Sequence, residues 1–268
     1  MTKRKKRALI AISCAAGCLA VACLIGLAVA GSLWGIPPFG GLFDMRIAKL
    51  AGNAERYDIE NVEELAESPL KGMDILYLGS SVTYGAYSQG TAFPEYIAAR
   101  NGTTFVKEAV SGTTLADGVN SYISRLEKAE KRRGFDLFVC QLSTNDAAQN
   151  KPIGEVKGEG EEYDTSTVCG AIEYIITYAR AAWGCPVVFY TNSYYESEAY
   201  AAMVGALEQI QDEYGIGVID LYSDEVFNAV TEEQRALYMA DDIHPTKAGY
   251  LEWWTPKMEE YLYEFVRK

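Results

Sequence analysis

Histidine is almost absent from this chain, and its cysteines form no recognisable pattern. His244 is the only histidine among 268 residues, and the six cysteines include no CxxC motif. Three of the six lie in one apolar segment near the N-terminus, which leaves Cys140, Cys169 and Cys185, an odd number that cannot all pair. These absences argue against a zinc site built from Cys and His and against a disulfide framework. We therefore expect neither a metal nor a cofactor, and we expect the three thiols to be buried as small hydrophobes.

Basic charge is also scarce beyond the first few residues. Five of the 24 Lys and Arg residues occur within residues 1–7. Removing them leaves 19 basic against 37 acidic side chains, a formal charge of −18 for residues 8–268. An acidic surface repels phosphate backbones, and no basic patch interleaved with aromatic residues is present. Nucleic acid is therefore not expected as a partner.

The first 30 residues are typical of a membrane or export signal. Residues 1–7 form a basic tip, and residues 8–30 are uncharged and almost wholly apolar. A helix of that length would measure about 34 Å, enough to cross a hydrocarbon core of about 30 Å. The pattern predicts a transmembrane signal anchor, with the basic tip in the cytoplasm and the rest of the chain on the extracytoplasmic side. A signal peptide cleaved near Ala30, which would release a secreted protein, is the alternative.

Beyond a linker over residues 31–72, which is predicted to contain short helices, strand-like runs alternate with segments of helical periodicity. The predicted strands cover residues 74–79, 103–110, 135–142, 186–191 and 217–222. The predicted helices cover residues 91–102, 115–134, 165–184, 197–215 and 245–268. This alternation predicts an α/β domain over residues 73–268, a three-layer α/β/α sandwich with a mostly parallel five-stranded sheet. Ligands bind such sheets at the carboxyl ends of the strands.

Residues suited to acyl transfer follow several of these strands. Ser81 follows the first strand, Gly112 the second and Asn145 the third, whereas His244 lies beyond the fifth, three residues after Asp241. A serine hydroxyl becomes a nucleophile when a base removes its proton, and an imidazole suits that role near neutral pH. We therefore predict Ser81 as nucleophile and His244 as base, with Asp241 holding the imidazole in one tautomer.

A tetrahedral intermediate also needs hydrogen-bond donors for its oxyanion. We predict an oxyanion hole formed by the backbone N–H groups of Ser81 and Gly112 and by the side-chain amide of Asn145. Each feature alone has a simpler interpretation, because serine and asparagine cap helices and loops, glycine meets backbone constraints and a lone histidine can be structural. Together and in this chain order, the residues favour catalysis.

These four residues resemble the signature of the SGNH hydrolase superfamily, also called GDSL-type lipases and esterases. The resemblance is carried by Ser81 in GSSVTYG, Gly112 in AVSGTTL, Asn145 in STND and His244 in DDIHP, and it covers roughly residues 73–265. It implies a flavodoxin-like SGNH hydrolase fold and a serine-dependent hydrolase of esters or thioesters without a metal. Many members of that superfamily act on acetylated sugars or lipids.

Two positions depart from the motifs of that superfamily. Ser80 stands where the first motif has Asp, and Ser143 stands where the third motif has Gly. The first change removes a carboxylate that helps to tie the motif loops together, and the second adds a side chain near the predicted oxyanion hole. Neither change removes a catalytic group.

We therefore expect an extracytoplasmic esterase that cleaves a small-molecule or carbohydrate ester, with acetyl as the acyl group. The alternatives are an acyltransferase that uses a sugar as its acceptor and an inactive binding module on the same fold. Several tyrosines lie near the carboxyl edge of the predicted sheet: Tyr84, Tyr87 and those of the segment NSYYESEAY at 192–200. They are either a stacking platform for sugar rings or ordinary packing residues.

Overall fold

The computed structural model describes residues 3–129 and 134–268, and for residues 3–16 and 34 it describes the backbone alone. The last part of the helix predicted over 115–134, and the first two residues of the predicted basic tip, therefore lie outside the described residues. The chain forms two compact units, one ending at Leu50 and the other spanning Ala51–Lys268.

The first unit contains two helices, α1 (Lys3–Trp34) and α2 (Gly41–Ile47). Among the residues that the structure describes, no helix combines the length and the apolar character needed to cross a membrane. The transmembrane anchor predicted over residues 8–30 is therefore not supported. The location of the second unit relative to the cytoplasm stays a prediction.

The second unit is built on a five-stranded parallel sheet, as predicted. Its strands are β1 (Asp74–Gly79), β2 (Thr104–Ala109), β3 (Leu137–Gln141), β4 (Val187–Tyr190) and β5 (Gly217–Ile219). Their spatial order is β2-β1-β3-β4-β5, and every neighbouring pair is parallel. Strand β1 thus has β2 on one side and β3 on the other. The carboxyl ends of all five strands lie at one edge of the sheet.

Helices and short turns connect these strands. Three 3-10 turns precede the sheet, at Ala51–Asn53, Glu55–Tyr57 and Ile59–Asn61. The helices are α3 (Ser81–Tyr84), α4 (Phe93–Asn101), α5 (Tyr122–Leu126), α6 (Thr144–Ala148), α7 (Val168–Trp183), α8 (Glu198–Tyr214), α9 (Glu225–Asn228), α10 (Glu232–Tyr238) and α11 (Thr255–Phe265). A π-helical turn, Gly249–Trp254, leads directly into α11.

For two elements, the difference from the sequence prediction is explained by carboxylates that accept backbone N–H groups. The strand predicted over 217–222 stops at Ile219 because the Asp220 carboxylate accepts the backbone N–H groups of Tyr222 and Ser223 and turns the chain. The helix predicted from residue 115 begins only at Tyr122. Its first residues form a loop instead, because the backbone N–H groups of Leu115 and Ala116 donate to the carboxylate of Asp146, which lies about 30 residues further along the chain.

The strand residues divide between two hydrophobic clusters, one on each face of the sheet. Leu76 and Phe138 pack with α7 and α8 in one cluster, whereas Tyr77 and Val139 pack with α4 and α11 in the other. This alternation follows from the two-residue period of a strand and makes both faces of the sheet buried. Three thiols lie within this second unit, and all are free and buried: Cys140, Cys169 and Cys185.

We expect the Val204→Ala substitution to lower the free energy of unfolding by about 2 kcal/mol, because it removes two buried methyl groups and leaves a small cavity. Val204 lies on α8 and is 5% exposed. Val226 on α9 is 87% exposed, so Val226→Ala should change stability by less than about 0.5 kcal/mol. Urea unfolding of the two variants measures the difference, and equal midpoints would contradict the packing described.

Candidate active site

The turn after β1 carries Ser81 and is held by a side chain from β3. The Gln141 side-chain oxygen accepts the backbone N–H of Ser80 at 2.8 Å and the hydroxyl of Thr83 at 2.9 Å. Gly79 is required where the turn begins, since a Cβ there would lie 1.6 Å from Thr83 Oγ1. Two strand ends are therefore joined before the backbone enters α3 at Ser81.

Three of the predicted residues form a continuous hydrogen-bonded chain. Ser81 Oγ lies 2.8 Å from His244 Nε2. His244 Nδ1 lies 2.9 Å from both carboxylate oxygens of Asp241. With its proton on Nδ1, donated to Asp241, the imidazole presents a free lone pair on Nε2 to the serine hydroxyl. This is the arrangement that activates a hydroxyl nucleophile.

The Asp241 carboxylate is fixed by its own loop. It accepts the backbone N–H of His244 at 2.7 Å and that of Ile243 at 2.9 Å. The Asp241 side chain is 40% exposed, and its partial desolvation pushes the pKa upward, but the hydrogen bond and charge of His244 and these two N–H groups outweigh this effect and leave the pKa below its usual value. Asp241 therefore stays ionised, as an acceptor for the imidazole must. The neighbouring Asp242 is exposed, 3.9 Å from Arg235.

The loop that carries His244 is closed at its base. Met239 and Pro245 form an antiparallel bridge, and the Ala240 N–H donates to the His244 carbonyl at 2.9 Å. The imidazole consequently projects from a short, paired loop.

The predicted oxyanion donors lie on the loops after the neighbouring strands. Gly112 adopts a positive φ of 78°, which favours glycine. The Asn145 amide donates to the Thr113 carbonyl at 2.9 Å, which joins the β2 and β3 loops and leaves its second N–H available. Within the described ranges, no protein acceptor takes the backbone N–H of Ser81 or of Gly112. The role of these three donors stays a prediction.

Side chains that the sequence prediction did not single out hold these loops in place. Asp146, the last residue of the STND motif, accepts the backbone N–H of Leu115 at 2.8 Å and that of Ala116 at 2.9 Å. Burial raises the pKa of Asp146, although these two N–H groups act in the opposite direction. The sequence signal for this role is its position next to Asn145 in the STND motif.

A buried arginine joins the ends of β1 and β2. The guanidinium of Arg125 donates to the Gly79 carbonyl at 2.8 Å and to Thr113 Oγ1 at 3.1 Å, and it also bonds to the Glu108 carbonyl. Together with Asp146 and Gln141, it ties the loops at the position where Ser80 replaces the carboxylate of the first motif.

The second departure from the family motifs also has a local function. The Ser143 hydroxyl caps α6 by accepting the Asn145 N–H at 3.2 Å, and it lies 3.3 Å from the Thr113 carbonyl. The hydroxyl is fully buried and is occupied by these bonds.

Two tyrosines after the nucleophile turn have different surroundings. The ring of Tyr87 stacks on the imidazole of His244, with 4.4 Å between ring centroids and 21° between ring planes. Tyr84 is 46% exposed, and Lys107 Nζ lies 5.5 Å from its ring centroid. Tyr87 is thus a packing partner of the candidate base.

A polar cleft of about 480 Å³ lies next to the His244 loop. Its lining residues are Tyr194, Tyr195, Glu196, Arg235 and Asp242. A second cleft, of about 260 Å³, also includes Tyr194 in its wall. No group of three or more His, Cys, Asp or Glu side chains in the described part of the chain could hold a metal ion.

Residues 77–251 match the model of the GDSL-like lipase/acylhydrolase family. This match covers more than half of the chain and includes every predicted site residue, so the chain belongs to that family. The enzyme class expected from the motifs, a hydrolase of the lipase and esterase type, is confirmed at this level. No curated protein matches the sequence.

Several solved structures share the fold. A protein of Lactobacillus plantarum is 20% identical, with a TM-score of 0.61 over 72% of this chain and 97% of its own. A member of the lipolytic protein G-D-S-L family from Veillonella parvula is 18% identical, with a TM-score of 0.55 over 70% of this chain and 97% of its own. An acetyl xylan esterase is 14% identical, with a TM-score of 0.52 over 69% of this chain and 98% of its own. At these identities the likeness concerns the fold.

We expect Asp146→Asn to lower kcat for ester hydrolysis by about 10-fold to 100-fold. The two backbone N–H groups bind different carboxylate oxygens, and an amide would present an NH2 donor to one of them, so the loop carrying Gly112 would shift. The matched control is Asp136→Asn, since Asp136 also accepts a backbone N–H, that of Asp74, but at the amino end of β1. Steady-state kinetics with 4-nitrophenyl acetate measures both variants. Equal kcat values would show that the Asp146 bonds do not act on the site.

Proposed function

We propose that this chain hydrolyses carboxylic esters with Ser81 as nucleophile, His244 as general base and acid, and Asp241 as the group that orients the imidazole. The observation that carries the proposal is the unbroken chain of hydrogen bonds from Ser81 Oγ through both ring nitrogens of His244 to Asp241. Its position at the carboxyl edge of a parallel sheet, where ligands bind, supports the same assignment.

The reaction then follows from these atoms. Ser81 Oγ forms a bond to the acyl carbon while Nε2 of His244 takes the hydroxyl proton, and the carbonyl oxygen becomes an oxyanion. The developing imidazolium is stabilised by Asp241. The intermediate collapses by breaking the bond to the alcohol oxygen, which receives the proton from Nε2. A water molecule repeats the sequence on the acyl-enzyme, and Ser81 regains its proton.

The oxyanion is held, in this proposal, by the N–H groups of Ser81 and Gly112 and by the amide of Asn145. Each donor of this kind contributes about 10²-fold to 10³-fold in kcat. The free N–H groups at the first two positions and the second N–H of the Asn145 amide support the assignment.

We expect Ser81→Ala to abolish labelling by a fluorophosphonate probe and to lower kcat by at least about 10⁴-fold. The adjacent Ser80→Ala variant is the matched control, because the buried Ser80 hydroxyl binds the Gln141 side-chain oxygen, whereas the Ser81 hydroxyl binds the imidazole. It should retain labelling and most of the activity. Mass spectrometry of the labelled peptide locates the modified serine.

Two outcomes would contradict the mechanism. Labelling of Ser80 in place of Ser81 would show that Ser81 is not the nucleophile. A folded wild-type protein that is not labelled at all would favour a binding module on this fold.

We further propose that the alcohol part of the substrate is a carbohydrate. The polar cleft beside the base loop combines the two carboxylates of Glu196 and Asp242 with the guanidinium of Arg235, groups that accept from and donate to sugar hydroxyls. A long acyl chain would require a continuous apolar surface instead, so the cleft favours a hydroxyl-rich alcohol and a short acyl group such as acetyl.

Tyr194 supports this substrate class as a prearranged stacking surface. The side chain is 49% exposed, yet its backbone N–H is bound by Asn228 Oδ1 at 2.9 Å. Asn228 in turn donates to the carbonyls of Leu221 at 2.7 Å and Asp224 at 2.8 Å. An exposed aromatic ring on a braced loop offers a flat apolar face at little cost in ordering entropy.

We expect Tyr194→Ala to raise KM for an acetylated oligosaccharide by about 3-fold to 10-fold, equivalent to about 0.6–1.4 kcal/mol of lost stacking. Hydrolysis of 4-nitrophenyl acetate should not change, and Tyr194→Phe should behave as wild type. Tyr84→Ala is the matched control, because Tyr84 is 46% exposed and does not line the cleft. An unchanged KM for the oligosaccharide would exclude this cleft as the sugar site.

A further inference from the structure

The segment before the sheet makes close contact with the loop that carries His244. In the first 3-10 turn, a Cβ at Gly52 would lie 2.1 Å from the Leu237 carbonyl oxygen and 2.2 Å from Thr246 Oγ1. This approach is possible for glycine alone, so the turn sits directly against the residues that flank the candidate base. The sequence prediction assigned this segment to a linker without chemistry.

Asn53, the last residue of that turn, bridges two loops of the site. The side chain is 5% exposed. Its Nδ2 donates to the carbonyl of Tyr87 at 2.7 Å, and its Oδ1 accepts the backbone N–H of Lys247 at 2.9 Å. One amide therefore satisfies a carbonyl on the loop after Ser81 and an N–H three residues after His244. The two bonds have opposite polarity, so both depend on the same orientation of the amide.

A second contact from the same segment acts on the same loop. Lys247 Nζ forms an ion pair with Asp58, which lies between the second and third 3-10 turns. The backbone and the side chain of Lys247 are thus both bound by residues 53–58. The His244 loop is anchored from outside as well as by its own bridge at the base.

The loop held by Asn53 places an aromatic ring on the imidazole. Ser81 and Asp241 bind the two edges of the His244 ring, and Tyr87 stacks on one face. Movement of the Tyr87 loop relative to the Lys247 loop would change the tilt of the imidazole. A displacement of about 1 Å in a catalytic group can cost about 10²-fold in rate.

We propose that Asn53 is a positioning residue that sets the orientation of His244 by locking the Tyr87 loop to the Lys247 loop. The expected effect on kcat rests on the proposed function. The expected effect on the position of the Tyr87 ring against His244 does not. Asn53 lies upstream of residues 77–251, the part that matches the family model, so the positioning contact comes from outside the matched part of the chain.

The kinetic test compares two asparagines of the same segment. We expect Asn53→Ala to lower kcat for 4-nitrophenyl acetate and the rate of fluorophosphonate labelling by about 10-fold to 100-fold, with KM changed by less than about 2-fold. Asn61→Ala should match wild type, because the Asn61 amide also donates to a backbone carbonyl, that of Glu55 at 2.7 Å, but does so at the surface. Tyr87→Ala should resemble Asn53→Ala, and Tyr87→Phe should restore the rate by restoring the ring.

The spectroscopic test does not require activity. Since His244 is the only histidine, the full chain purified without a histidine tag and labelled at histidine yields the NMR signals of a single imidazole. Stacking of Tyr87 should shift the ring protons upfield in wild type and in Asn61→Ala. The shift should be reduced in Asn53→Ala and lost in Tyr87→Ala.

The two tests separate the possible failures. If Asn53→Ala lowers the unfolding temperature but keeps the wild-type kcat and imidazole signals, Asn53 is merely structural and the proposal is overturned. If wild type is folded but is not labelled by the fluorophosphonate, the esterase mechanism fails. The imidazole signals then still decide whether Asn53 holds the ring of Tyr87 against His244.

Discussion

The parallel register of β1 with both of its neighbours is the constraint on which the site depends. Gly79, the last residue of β1, pairs with Ala109 of β2, and Leu78 pairs with Cys140 of β3. Because the three strands end at nearly the same level, the loops that follow them emerge side by side. A slip of β1 by one residue would exchange its two buried faces and move the nucleophile turn away from both loops. Packing on both faces of the sheet therefore fixes the relative positions of the loops that carry the candidate active site.

Polar side chains at this edge of the sheet hold the strand ends and the loops that follow them at fixed distances from one another. Gln141, Arg125 and Asp146 bind backbone groups at the end of β1, at the end of β2 and in the loop that follows β2, and each does so from a buried position. The net pKa shifts of the two site carboxylates have opposite signs. Desolvation raises the pKa of both, but at the partly exposed Asp241 the imidazole and two N–H groups outweigh it, whereas at the fully buried Asp146 desolvation dominates. The orienting acid is thereby kept ionised, while the loop-binding acid is fixed by backbone donors.

Much of this arrangement could be predicted from the sequence, because its signals are local. Strand β1 was predicted with the observed ends, and the residues Ser81, Asp241 and His244 come together as their motifs suggested. What the sequence did not indicate depends on contacts between distant segments. Asn53 and Lys247 are 194 residues apart, and nothing in the composition of residues 31–72 points to such a bond. Likewise, the late start of α5 follows from a carboxylate some 30 residues further along the chain.

The three buried thiols of the second unit bear on the stability of the domain under reducing and oxidising conditions. Burial raises the pKa values of Cys169 and Cys185 to about 11 and also raises that of Cys140 well above its usual value, so each sulfur stays protonated and shielded from oxidants. Since none of the three is paired, the fold does not rely on a covalent crosslink. The stability of this domain is therefore indifferent to the redox potential of its surroundings, in a reducing compartment or an oxidising one.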